Sequence, residues 1–332
     1  MRVGIPREVK DGEFRVALTP QGVASLRDVV VEPGAGLGVG FRDADYVAAG
    51  AELGDPWQCE LIVKVKEVQP AEYRKPRPGQ TVLSFEVFAV DRGLREAALA
   101  SGATFISYNT VGRQRGESPI LAPMSAIAGR LAVQMGAWCL QKQNSGSGVL
   151  LPGFGDVPPG KVVIIGAGNV GANALAIAHG IGATVTLYAR TDRRLAALRS
   201  HYPSVSFTTD KPQVSDADLV IGAVFAPGHA SPKLLTRQML ARMRRGSALV
   251  DVGIDHGGIA ETSRPTSHAK PIYVEEGVVH CCVPNMPAAC PRSASLALER
   301  AVLPYVRKLM NGEMDDDLRS GIAISQGRLT AA

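Results

Sequence analysis

Lys161-Val-Val-Ile-Ile-Gly-Ala-Gly-Asn-Val-Gly171 is the stretch that decides the fold of this chain. An apolar run of strand character breaks into Gly166-x-Gly168-x-x-Gly171, and a helical pattern follows at once. Glycines at this spacing permit a tight turn, close approach of the backbone to a pyrophosphate and close packing of the helix, whose N-terminal amides face the negative charge. Asn169 and Val170 lie on the same turn and belong to the expected cofactor site. A second apolar strand, Ala183 to Tyr188, comes where a βαβ unit requires one, which separates this motif from an ordinary strand-turn-helix. The stretch predicts a dinucleotide-binding Rossmann unit.

The end of that second strand bears on which nucleotide fits. A free ribose 2′-hydroxyl is normally held by an Asp or Glu about 20 residues past the glycines. This chain instead reads Tyr188-Ala189-Arg190-Thr191-Asp192-Arg193-Arg194. Ala189 and Arg190, with Thr191 and Arg193 or Arg194, suit a 2′-phosphate, because charge-assisted arginine-phosphate bonds are strong. NADPH is therefore expected ahead of NADH. Two other readings stay open: the arginines as the solvated start of the next helix, and Asp192 reaching the ribose.

A chain of 332 residues with 45% hydrophobic content and 36 glycines has material for more than one core, so two domains are expected. No apolar stretch approaches the roughly 20 residues that span a bilayer, and Met1-Arg2-Val3-Gly4-Ile5-Pro6 lacks a signal-peptide core; a soluble, cytoplasmic protein without membrane partners is expected. Five cysteines without a Cys-x-x-Cys argue against a disulfide framework and a zinc ribbon, and Cys281, Cys282 and Cys290 are expected as buried thiols. The net charge of +5 is spread over dispersed arginines with few aromatics between them, which suits anionic metabolites rather than nucleic acid.

Outward from the glycine turn, the pattern gives two α/β units. From Arg2 to about Ile120, strands are expected at Arg2 to Ile5, Leu61 to Val65, Thr81 to Phe85 and Thr104 to Tyr108, with helices at Gln21 to Leu26 and Gly93 to Ser101. Met124 to Lys142 reads as one long helix, stopped by Asn144-Ser-Gly-Ser-Gly148. The second unit continues past Lys161 through Leu219 to Ala223, Ala248 to Val252 and Ile272 to Val274, and a helix from Leu296 to Met310 is most simply packed back on the first unit. The expectation is an α/β protein of two doubly wound Rossmann-like domains with a cleft between them. Residues 1–123 plus 296–332 form the discontinuous substrate domain, and 124–295 the dinucleotide domain, entered through the long helix. The cofactor is expected along the strand ends of the second unit, with the substrate facing it from the first.

Longer strings point to a family. Arg2-Val-Gly-Ile-Pro-Arg-Glu-Val-Lys10, Glu13-Phe-Arg-Val-Ala-Leu-Thr-Pro20, Val63-Lys-Val-Lys-Glu67, Pro123-Met-Ser-Ala-Ile-Ala-Gly-Arg130, Val250-Asp-Val-Gly-Ile-Asp-His-Gly-Gly258, Glu261-Thr-Ser-Arg-Pro-Thr266 and Val283-Pro-Asn-Met-Pro287 together resemble the alanine dehydrogenase and pyridine nucleotide transhydrogenase family. The resemblance implies that Arg15 and Lys66 hold the carboxylate and carbonyl of a 2-oxo acid, that Asp255 is the active-site aspartate, and that Asn285 and Met286 line the nicotinamide pocket. It also implies that Ser125 lies near the cofactor, that Ala223 and Val224 cross it, and that the protein is a homo-oligomer, a dimer or hexamer. The chemistry agrees, since a guanidinium fixes a carboxylate bidentately and an ammonium polarises a carbonyl or imine. On the residues alone, Lys64 and Lys66 share one face of a strand and either could reach solvent; the resemblance selects Lys66. Asp255 follows a strand end, where ligands bind in such sheets, but it also reads as a turn former before Gly257-Gly258.

The chain departs from this family at one position. Aligned without gaps from Tyr73, Val87 in Leu83-Ser-Phe-Glu-Val-Phe-Ala89 stands where the family carries its catalytic histidine. His256 is the best substitute, though a polar, partly exposed role is expected for it; His179, His201, His229, His268 and His280 each have an ordinary surface or core explanation. Glu86 points to the opposite side if the segment stays extended. A water held by Asp255 is another possible donor. Without an acid, a preformed iminium is easier to reduce than a carbonyl. The reading favoured here is an NADPH-dependent oxidoreductase acting on the C–N bond of a small 2-amino or 2-imino acid, by reductive amination or imine reduction. The alternatives are a conventional alanine dehydrogenase and a non-catalytic dinucleotide-binding subunit or sensor.

Overall fold

Short runs of β-branched and aliphatic residues build the first sheet: β1 (Val3–Ile5), β2 (Val29–Val31), β3 (Glu52–Leu53), β4 (Leu61–Val63), β5 (Thr81–Ser84) and β6 (Thr104–Ser107). The computed structural model describes residues 1–116, 118–224 and 230–330. In it these strands pair in parallel in the order β6-β5-β4-β1-β2-β3. All but β3 are buried along most of their length, as parallel strands covered on both faces must be. One apolar face carries Ile62, Val82, Phe105, Leu94 and Ala98, the last two from the helix Arg92–Ser101. β4 stops at Val63, so Lys64 and Lys66 lie beyond the strand and not on one face of it, a correction to the expected alternation.

The long helix runs from Leu121 to Cys139, three residues earlier at each end than the apolar pattern predicts. The second unit, Ser125–Pro287, takes in most of this helix and forms its own sheet. Its strands are β7 (Lys161–Ile165), β8 (Thr184–Tyr188), β9 (Ser206–Thr208), β10 (Leu219–Gly222), β11 (Ala248–Asp251), β12 (Ile272–Glu275) and β13 (Val278–Cys281). The order is β12-β13-β11-β10-β7-β8-β9, parallel except for the β12–β13 pair. The chain steps from β7 to β8 on one side and later to β10 on the other, so the order reverses at β7. In such sheets the crevice beyond that strand's carboxyl end takes the ligand. Register places Ile165 opposite both Tyr188 and Gly222, so Gly166, Ala189 and Ala223 leave the sheet side by side.

From Ala288 the chain belongs to the first unit again, Met1–Met124 with Ala288–Ala332. The helix Pro291–Met310 buries Ala294, Leu298, Val302, Tyr305 and Leu309, a stripe at three- and four-residue spacing. Two short strands then extend the first sheet: β14 (Ile322–Ser325) pairs antiparallel with β6, and β15 (Arg328–Leu329) pairs antiparallel with β14. The five cysteines are free; Cys281 and Cys282 are buried as expected, whereas Cys290, at the start of the helix, is only half-buried. Among the described residues no helix is long and apolar enough to cross a membrane.

Candidate active site

The carboxyl ends of β1, β4 and β5 release the chain into a buried charged cluster. Glu8, three residues past β1, accepts the Val65 amide through Oε1 (2.7 Å) and lies 3.3 Å from the Lys64 ammonium, which also donates to Glu72 Oε1 at 3.1 Å. Lys64 is fully buried. Burial opposes its charge, but Glu8 and Glu72 outweigh that and hold its pKa above the ordinary lysine value. Lys64 therefore does not reach solvent; it is an internal strut tying β4 to its neighbours. Sequence reasoning missed this, although glutamates at 8 and 72 around a lysine that follows an apolar strand are the only signal there was.

Arg15 is 2% exposed and grips Glu13 by two parallel bonds, Nε to Oε1 at 2.7 Å and Nη2 to Oε2 at 2.5 Å. Its Nη1 faces Met124 Sδ at 3.3 Å. Glu13, also absent from the sequence-based site, fixes the plane of the guanidinium. The half-buried Lys66 shares this environment: burial lowers its pKa, Arg15 and Lys10 add to that, and Glu67 and Glu13 oppose it. An ammonium held that way gives up its proton more readily than a surface lysine. Glu67 accepts from Lys10 and from Gln69 Nε2 through Oε1, while its Oε2 is buried without a partner.

The segment carrying Val87 leaves the sheet at Ser84, so strand alternation no longer sets its side chains. Val87 packs against the apolar face with Val68, Val82 and Phe88. Glu86 is 6% exposed; its Oε1 accepts from Ser84 Oγ at 2.5 Å, its carbonyl accepts from Asn109 Nδ2 at 2.7 Å, and its Oε2 has no partner. Burial pushes the Glu86 carboxyl up to about 8; Glu67 and Glu8 add to this, against Ser84 and Lys64.

In the second unit the glycine turn is closed by contacts that only glycine allows. A Cβ on Gly171 would lie 1.7 Å from the Gly166 carbonyl, and one on Gly166, whose φ is +116°, would lie 2.4 Å from that of Ala223. Gly168 faces open space with Arg194 Nη1 4.0 Å from its Cβ direction. The helix Asn169–Gly180 starts on this turn, and the Val170 carbonyl sits where a Cβ on Gly129 of the long helix would be, 2.1 Å away. Tight glycine packing behind and open space in front suit a dinucleotide pyrophosphate. At the end of β8, Ala189 is buried while Arg190, Thr191 and Arg194 are exposed. Asp192 pairs with Arg199 at 2.7 Å rather than leaning back toward the strand end.

At the end of β11, the buried Asp251 accepts hydrogen bonds from the Gly253 (3.2 Å) and Ile259 (2.7 Å) amides and the Ser263 hydroxyl (2.6 Å). That carboxylate folds residues 252–258 into a tight loop and presents Asp255 outward, where its Oδ2 accepts the Asn285 amide at 3.3 Å. Asn285 has φ +51°, and Met286 beside it is buried. Ala223 donates its amide to Ile165, and the Val224 carbonyl faces Gly253. Ser125 is half-buried on the long helix. His256 is half-buried, its carbonyl accepting from the Ser231 amide. His280 is buried against Thr262 Oγ1 and stacked on Tyr273, His179 meets Ser204, His201 meets the Ala197 carbonyl, and His268 is exposed. His229 lies outside the described residues.

Comparison with known proteins accounts for nearly the whole chain. The alanine dehydrogenase/PNT N-terminal domain matches residues 4–128, and the alanine dehydrogenase/PNT C-terminal domain matches 132–332. The chain is similar to alanine dehydrogenase of Halomonas elongata, 46% identical with 99% of this chain and 95% of that protein covered. It is 44% identical to alanine dehydrogenase of Mycobacterium tuberculosis, over 99% of this chain and 93% of that protein. Among solved structures, an L-alanine dehydrogenase superposes with a TM-score of 0.95 at 43% identity, over 99% and 96% of the two chains. A transhydrogenase from Sinorhizobium meliloti gives a TM-score of 0.86 at 26% identity, over 99% and 98%.

Proposed function

The chain belongs to the alanine dehydrogenase/PNT family, and from that membership we propose that it is a nicotinamide-dependent amino acid dehydrogenase interconverting alanine with pyruvate and ammonia. The observation that carries this reading is the near end-to-end match, at 41–46% identity, to proteins named alanine dehydrogenase. It moves alanine and pyruvate ahead of the imine substrate that Val87 first suggests.

In this reading Arg15, its plane set by Glu13, takes the substrate carboxylate. Lys66, with its lowered pKa, donates a hydrogen bond to the carbonyl or imine and stabilises charge developing there. Asp255, braced through Asn285, orients the amine. Gly166, Gly168, Asn169, Val170 and Gly171 hold the pyrophosphate, and Ala189, Arg190, Thr191 and Arg194 receive the ribose end. The bound nicotinamide supplies or takes the hydride. NADPH is the favoured form, because the strand end offers exposed guanidinium groups and the next carboxylate along the chain, Asp192, is paired with Arg199.

A second reading, reduction of a preformed imine, is favoured by one observation: Val87 places an aliphatic group on the apolar face where an acid is expected. Both are tested by following cofactor consumption with pyruvate plus ammonium beside a cyclic imino acid, each with NADPH and NADH. Turnover of pyruvate supports the alanine reading; turnover of the imine alone overturns it in favour of the second.

A further inference from the structure

We propose that Glu86 is the proton store of this site: its carboxyl, sealed against Ser84 with Oε2 unpartnered, holds the proton exchanged with a substrate bound at Arg15 and Lys66. This rests on the functional reading above and assigns the proton that Val87 cannot carry.

The geometry is specific. Among the described residues of the first unit, four bury a side-chain oxygen without a partner: Thr19, Glu67, Glu86 and Tyr108; of these only Glu67 and Glu86 are carboxyls. Burial without a partner is costly for a carboxylate and tolerable for a carboxylic acid, whose O–H remains available as a donor. The charged and titratable groups acting on Glu86 come from three segments: Glu8 after β1, Lys64 and Glu67 after β4, and Tyr108 after β6, while Ser84 at the end of β5 donates to it. Glu67 and Glu8 favour the protonated form and Lys64 opposes it, with burial deciding the balance. Glu67, next to Lys66 in the chain, acts electrostatically on both Glu86 and Lys66, so the two belong to one charged neighbourhood. Glu67 itself is held below the ordinary carboxylate range, burial being outweighed by Lys10 and Lys66, so of the two carboxyls Glu86 keeps the proton.

The proton balance closes. In the aminating direction ammonia adds to the carbonyl carbon of the oxo acid, the C–O bond then breaks, and the proton from Glu86 leaves with the hydroxyl as water. That leaves an iminium, whose carbon would accept the hydride a bound reduced nicotinamide supplies to give a neutral amine, and Glu86 is reprotonated from solvent. In the reverse direction the Glu86 carboxylate takes up the proton released when water adds to the iminium left by hydride loss. Amination therefore needs the protonated form and weakens as pH rises through about 8, whereas oxidation needs the carboxylate and strengthens over the same range.

The test uses the full chain as wild type, Glu86→Gln and Glu86→Asp. Glutamine still accepts from Ser84 but cannot release a proton. Infrared difference spectra of wild type against Glu86→Gln are expected to show a protonated carboxyl at pH 6.5 that disappears as pH passes about 8. The Glu86→Gln protein is expected to aminate pyruvate at least about a hundredfold more slowly and to lose the alkaline fall, with Glu86→Asp restoring that fall. A rate that drops equally at every pH with the fall unmoved means a merely structural role and overturns the proposal. So does a spectrum without the protonated carboxyl. Failure of the wild type to turn over alanine or pyruvate overturns the functional reading instead; the infrared band then still supports the store, and its absence still overturns it.

Discussion

At position 189 the chain carries a methyl group where a ribose-binding carboxylate is expected, and the next residue, Arg190, is exposed beside it. Arg190→Asp removes a guanidinium suited to a 2′-phosphate and installs a carboxylate suited to a 2′-hydroxyl. The change is expected to raise the KM for NADPH by about tenfold to a hundredfold, the worth of one charge-assisted bond, and to leave NADH within about threefold. Equal weakening of both cofactors, measured in the same assay, would show that Arg190 is only the solvated start of the helix Asp192–Arg199. Lys64 and Lys66 teach a related lesson. Two lysines two residues apart look interchangeable, yet one is sealed between Glu8 and Glu72 and the other is half-buried with a lowered pKa. Their difference is made by acids 56 and 8 residues from Lys64, the first beyond the reach of any local pattern.

Between helices, Gly129 on the long helix leaves no room for a Cβ against the Val170 carbonyl at the start of the cofactor-turn helix. Because the obstacle is backbone, Gly129→Ala must push the two helices apart, at a cost of about 1–3 kcal/mol. A lower thermal midpoint and weaker nucleotide binding are both expected, since the displaced turn is the one that faces the pyrophosphate. An unchanged midpoint with unchanged binding would mean that this joint yields without cost. The elements legible in the sequence were those with strong local chemistry: β7 with its glycines, β8, β10, β11 and the long helix. β2, β3 and β9, which are two or three residues long, gave no readable alternation. β14 was missed for another reason: it adds to β6 across more than two hundred residues, and β15 folds back on β14 as a two-residue strand. Glu86 was legible as a residue but not as a buried acid, because its surroundings depend on where β5 stops.

Over the whole molecule, two sheets with separate cores raise the question of whether nucleotide binding is felt throughout the chain. The protein has two tryptophans, and each reports on a different unit: Trp57 sits in the apolar core of the first, and Trp138 lies on the long helix within the second. A unit of this size can in principle unfold on its own. Oxidised NADP at a hundred times its Kd should then stabilise the nucleotide-binding unit by about 2.7 kcal/mol. With Trp57→Phe, where only Trp138 reports, the urea midpoint is expected to rise by that equivalent. With Trp138→Phe, where only Trp57 reports, the shift is expected to be under about 1 kcal/mol, since the ligand binds nothing that this unit loses on unfolding alone. Each variant is compared with itself with and without nucleotide, so the intrinsic cost of removing an indole cancels. Equal shifts from both reporters would show that the units unfold as one cooperative body, and that occupation of the glycine turn stabilises the charged cluster around Arg15 and Lys66 as well.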